Sequence, residues 1–112
     1  MHEVAVASAI RSIAERARAG RPVVAVAVDV GALRQVVPDT LGACWELVTR
    51  GTGLAGARLE VTTIPAVVAC HTCGHRRTLA DVPSMVCEAC GGTDTAAVAG
   101  EELLVRSIDV GQ

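Results

Sequence analysis

Two Cys-x-x-Cys pairs constrain this chain more than any other feature. Cys70 and Cys73 make the first pair, Cys87 and Cys90 the second, with thirteen residues between them. A two-residue gap lets one tight turn aim two sulfurs at a single point, and tetrahedral Zn²⁺ takes four thiolates at about 2.3 Å. Gly74 follows the first pair and Gly91-Gly92 the second, where backbone returning under a metal often needs positive φ. The spacing predicts two knuckles clamped into a zinc ribbon, with Cys70, Cys73, Cys87 and Cys90 holding a structural Zn²⁺. Four thiolates leave no open coordination position, so a catalytic role for that ion is not expected. A redox role fits poorly, because two pairs converge and neither has a thioredoxin-like context. His71, His75, Arg76 and Arg77 flank the knuckles. They read as solvated groups or supports of the ligands; the sharper alternative is that His71 or His75 replaces a thiolate and couples the site to another event.

At 112 residues the chain supports one modest core, and a small appendage to it needs a staple such as a metal. Trp45 is the sole aromatic, so the core must be built from Val, Ala, Leu and Ile. All ten cations are arginines and the formal charge is −2; four thiolates around one divalent cation make it more negative still. That balance, with no basic stripe or stacking aromatics, argues against nucleic acid as a partner. Glu3, Arg11, Glu15, Arg16 and Arg18 interrupt any secretory apolar stretch, and nothing approaches the roughly 18 consecutive apolar residues of a membrane span. A cytoplasmic protein is expected, in which cysteines read as ligands before disulfides. No Ser-His-Asp set, paired carboxylates or glycine-rich phosphate loop is evident, so an enzyme is not expected.

Along the chain, Val6, Ile10, Ile13 and Ala17 fall on one stripe of a helix over residues 4–19, which Gly20 and Pro22 end. The Val/Ala run Val23 to Val28, stopped by Asp29 and Gly31, suits a strand covered on both faces. Pro38-Asp39 opens a second helix whose stripe is Leu41, Cys44, Trp45 and Val48, closed by Gly51 and Gly53. Trp45 and Cys44 read as core residues, the alternatives being a partner contact for Trp45 and a thiolate-ligand role for Cys44. A second strand covers about 57–64, Pro65 is a boundary, and a third strand runs from Leu103 to Val110. That last strand is predicted to rejoin the first sheet, which makes the first domain discontinuous: residues 1–65 plus 100–112, with the zinc ribbon of 66–99 inserted.

The amino terminus reads Met1-His2-Glu3. A free terminal amine, the deprotonated His2 amide and the His2 imidazole form fused chelate rings, a nitrogen-rich, near-planar set suited to Ni²⁺ or Cu²⁺. Glu3 would add an oxygen, orient the imidazole or simply favour the helix N-terminus. Taken alone this tripeptide is a weak signal. Several segments together, however, resemble the HypA/HybF family of hydrogenase maturation proteins. They are Met1-His2-Glu3, the run Val28-Asp29-Val30-Gly31-Ala32-Leu33, the run from Cys44-Trp45-Glu46 to Gly51-Thr52, the four cysteines, and Glu101-Glu102-Leu103. The match spans residue 1 to about 110.

The resemblance implies an α+β fold, with two helices on a three-stranded mixed sheet as a nickel domain carrying an inserted four-cysteine zinc-ribbon domain. It implies His2 as the essential nickel ligand with Glu3 and Met1 assisting, Zn²⁺ as structural cofactor and Ni²⁺ as transient cargo. A HypB-type GTPase would be the partner and the [NiFe]-hydrogenase large subunit the recipient, with urease maturation served by some relatives. A monomer or weak homodimer is expected, without membrane or nucleic acid. The rival reading is a zinc-ribbon interaction module that handles no second metal.

Overall fold

The computed structural model describes residues 2–79 and 86–111. Its elements are α1 (Glu3–Ala17), β1 (Val23–Gly31), a 3₁₀ turn (Ala32–Arg34), α2 (Pro38–Thr49), β2 (Arg58–Ile64), β3 (Val67–Cys70), β4 (Arg76–Thr78), β5 (Thr95–Ala99) and β6 (Leu103–Val110). A three-stranded mixed sheet has the order β2-β1-β6, and a second sheet has the order β4-β3-β5. Two compact units result. One comprises Met1–Asp29, Val36–Thr62 and Leu103–Gln112, the other Val30–Gln35 and Thr63–Glu102.

In the first unit α1 packs against α2 and β6. Pro at the first turn of α2 needs no amide partner there, and Asp39 beside it favours the positive end of the helix. The buried stripe of α1 is Glu3, Val6, Ala7, Ile10 and Ala14. Val6 and Ile10 lie where periodicity puts them, but Ile13 and Ala17 are exposed. Ala7 and Ala14 take inner positions on this stripe, small residues that ranking by hydropathy misses. On α2, Leu41, Trp45 and Thr49 are buried, while Cys44 and Val48 are half-buried. Trp45 is 2% exposed, and its indole Nε1–H donates to the Ala57 carbonyl at 3.0 Å, fixing α2 to the segment that leads into β2. The Thr49 hydroxyl donates back to the Trp45 carbonyl at 2.7 Å, so its polar atom is satisfied where it is buried.

β1 is buried along most of its length, although Val24 is 49% exposed. It runs on past Asp29 to Gly31 because that carboxylate is offset by Arg106 of β6, 3.5 Å away. β2 and β6 are edges, and their residues are at most half-buried.

The second unit has a core of Ala66, Val68 and Leu79, with Leu33 of the 3₁₀ turn packed on it. Its central strand β3 pairs antiparallel with β4 (Val68 opposite Arg77) and with β5 (Val68 opposite Ala97, Cys70 opposite Thr95). These short strands have no clear signal in a sequence dominated by cysteines, glycines and charges. Glycines permit the crossing at one end of this unit. The Leu33 N–H donates to the Gly100 carbonyl at 2.8 Å, the Gly31 N–H to the Glu102 carbonyl at 2.7 Å, and Arg34 Nε–H to the Glu101 carbonyl at 2.8 Å. Gly100 has φ +107, and a Cβ there would lie 2.6 Å from Ala66 Cα.

Gly100→Ala therefore combines a disfavoured dihedral with an unrelieved backbone clash. Chemical denaturation should show this unit destabilised by about 1–3 kcal/mol.

Candidate metal centre

Each cysteine pair sits on a turn closed by the same two backbone hydrogen bonds. The Cys70 N–H donates to the His75 carbonyl at 2.9 Å and the Gly74 N–H to the Cys70 carbonyl at 2.9 Å. In the second knuckle the Cys87 N–H donates to the Gly92 carbonyl at 2.9 Å and the Gly91 N–H to the Cys87 carbonyl at 2.8 Å. Gly74 and Gly91 both have positive φ, +78 and +74, which closes each turn without a Cβ clash. Two copies of one turn thus face each other, and the four sulfurs lie within 4.8 Å of one another. Cys70 Sγ is 3.7 Å from Cys90 Sγ, and Cys73 Sγ is 3.5 Å from Cys87 Sγ. A tetrahedron with arms of about 2.3 Å has edges of about 3.8 Å. The donor set therefore fits one tetrahedral, thiolate-preferring ion.

The electrostatics repeat the same two-fold pattern. Cys70 and Cys87 are buried, Cys73 and Cys90 exposed. Amide hydrogens, first that of Cys73, pull the Cys70 thiol down to about 6, and the Cys90 amide does the same in direction for Cys87. The His75 amide pulls Cys73 down too, but the Cys87 sulfur, burial and the other sulfurs outweigh it and push the thiol up to about 12. Cys90 is likewise pulled down by the Gly92 amide and raised on balance by the sulfurs of Cys87 and Cys70. Four thiolates repel one another in so small a space. A divalent cation removes that repulsion and displaces the remaining protons.

His71 and His75 stand beside the knuckles, each tied to a carboxylate. His71 Nδ1 is 3.0 Å from Asp94 Oδ1, and His75 Nε2 is 3.0 Å from Glu88 Oε1. Both pairs connect one half of the ribbon to the other, which the sequence does not reveal because the partners are 23 and 13 residues apart. Cys44 is half-buried on α2 and is not a member of the cluster.

At the other end of the chain, His2 caps α1. It is exposed, and its carbonyl accepts the Val6 N–H at 2.9 Å. Glu3 is 3% exposed, and its Oε2 accepts the Val37 N–H at 3.0 Å, so the start of α1 is tied to the residue before α2. The amino-terminal ammonium, then the Val37 amide and its own, hold the Glu3 carboxyl down to about 2. A first-turn glutamate ordinarily faces solvent, and nothing in the local sequence marks the tie to Val37. Met1 lies outside the described residues.

Comparison with known proteins identifies the lineage. The family profile described as "Hydrogenase/urease nickel incorporation, metallochaperone, hypA" matches residues 1–110. The chain belongs to the HypA family. Among curated HypA proteins, the hydrogenase maturation factor HypA of Geobacter metallireducens is 37% identical over 110 residues, covering 98% of this chain and 99% of that one. HypA of Nostoc punctiforme is 34% identical, covering 98% and 96%. The solution structure of the Ni metallochaperone HypA from Helicobacter pylori superposes with a TM-score of 0.70 at 18% identity, covering 98% of this chain and 97% of that one. HypA-type architecture thus extends over the whole chain, cysteine ribbon included.

Two substitutions separate the roles of these groups. Glu3→Ala should remove the acceptor of the Val37 amide, seen as lost hydrogen-exchange protection at Val37 with the cysteine cluster's metal content unchanged. Cys87→Ser should abolish metal retention and unfold the ribbon, read by metal analysis and by loss of its amide protection, since metal binding supplies folding energy to such modules.

Proposed function

We propose that this HypA-family chain is a nickel carrier for [NiFe]-hydrogenase. Ni²⁺ binds transiently through the Met1 amine and the His2 amide and imidazole, with Glu3 assisting, while Cys70, Cys73, Cys87 and Cys90 hold a structural Zn²⁺. The observation that carries this reading is the exposed His2 at the head of α1 in a chain of this family. An exposed chelate suits transfer, because an acceptor can displace its donors one at a time. The helix dipole disfavours a cation at this end. Deprotonation of the His2 amide and the Glu3 carboxylate supply the compensating negative charge. Raw affinity would favour Cu²⁺, so selectivity must come from geometry, availability and handover between proteins. A HypB-type GTPase is the partner and the hydrogenase large subunit the recipient, in the cytoplasm. The closed sulfur set supports a purely structural zinc.

Calorimetric titration of the untagged, zinc-loaded protein with Ni²⁺ tests this. His2→Ala should abolish nickel binding and leave zinc in place; full nickel stoichiometry in that variant would defeat the assignment. Because the chain has no lysine, the α-amino group is its one aliphatic amine, and N-acetylation there too should remove nickel uptake. Protons compete at the amine and imidazole, so loading should weaken below about pH 6 to 7. Retained zinc with no nickel binding in the wild-type protein would favour an interaction module instead.

A further inference from the structure

The net negative charge of the chain conceals a local cluster of the opposite sign. Arg11 and Arg16 of α1 and Arg18 just after it line a single cleft of about 580 Å³ with Ser12, Glu15 and the loop 51–53. That volume lies in the range of small-ligand sites, about 300–1,000 Å³. The three guanidinium groups face one carboxylate, so the lining carries a surplus of positive charge in a chain of formal charge −2.

The three arginines are not equivalent. Arg18 is already committed: its Nε–H donates to Glu15 Oε1 at 2.9 Å and its Nη1–H to the Arg21 carbonyl at 3.1 Å. Its guanidinium also lies against Gly53, where an added Cβ would collide with it. Arg18 therefore packs against the loop at Gly53 and pairs with Glu15. Arg11 is different. Its Nε is buried and has no hydrogen-bond partner among the described residues. That Nε–H is shielded from the cleft, so an anion there would meet the outer face of the Arg11 guanidinium. After the hydrogen bond from Arg18, the Arg11 charge also helps to hold the Glu15 carboxyl down. Arg16, exposed one helical turn beyond Ser12, adds a second uncommitted fork at the rim.

We propose that this cleft is a binding site for a small phosphate-bearing anion of the pyrophosphate type, gripped by Arg11 and Arg16 with Arg18 packed against the loop that forms its far wall. Guanidinium forks match phosphate oxygens in bidentate fashion, and a two-phosphoryl group offers one set of oxygens to each uncommitted arginine. A concave site of this size favours a compact ligand over the surface of a protein partner. The proposal is independent of the nickel reading.

The test uses the zinc-loaded full chain, titrated with sodium pyrophosphate at constant ionic strength and followed by calorimetry and by amide chemical shifts. Saturable binding is expected, with shifts centred on Ser12 and Gly53. Arg11→Gln should weaken Kd by at least about tenfold. Arg11→Lys, which keeps the charge but loses the fork, should weaken it several-fold, and Arg58→Gln, outside the cleft, should leave it unchanged. If Arg11→Gln does not fold, Arg16→Gln at an exposed position serves in its place. Equal effects from chloride or sulfate, or wild-type affinity in the arginine variants, would overturn the proposal. So would preferential binding of a polyglutamate peptide at the same residues, which would make the cleft a protein-docking face. Nickel titration of the same variants, expected to be normal, keeps this result separate from the carrier function.

Discussion

Repulsion between four converging sulfurs is the constraint on which the smaller unit depends. Among the described residues its apolar core is Ala66, Val68 and Leu79 with Leu33 packed alongside, a small core of the kind that a metal commonly supplements. The knuckle turns nonetheless bring the sulfurs to within 4.8 Å, an arrangement that is unfavourable for thiolates and favourable around a cation. The backbone geometry of the ribbon thus aims four ligands at one point, where a bound cation would supply cohesion.

The larger unit is organised on a different basis. It uses small and branched side chains instead of aromatics, and it joins the heads of its two helices through one buried carboxylate. The Glu3 hydrogen bond to Val37 places the residue beside His2 in the packing of the fold and fixes the direction in which the first turn leaves it. The nickel site proposed at the amino terminus would gain from that support, because a free chain end loses conformational entropy whenever it binds an ion.

How much of this could be read in advance varied with the range of the interaction. The cysteines were legible because ligand spacing within a turn is local, and both helices were legible from their periodicity and punctuation. The inward face of α1 was only half legible. Ala7 and Ala14 are buried, whereas Ile13 is left outside, and a hydropathy stripe weighs those residues the other way. Strands β3 to β5 went unseen because each is short and their residues are chosen for the knuckles. The Glu3–Val37 tie, the His75–Glu88 pair and the meeting of Arg18 with Gly53 all join distant stretches of chain, and no pattern of neighbours along the sequence announces them.

Trp45 has a further consequence. It is the only aromatic side chain in the protein, sealed against the Ala57 carbonyl inside the larger unit. Ultraviolet emission from this molecule consequently originates in the larger of its two parts, while sulfur-to-metal absorption would originate in the ribbon once a metal is bound. The chain thus comes with two separate optical signals, one for each half, without any label having to be attached.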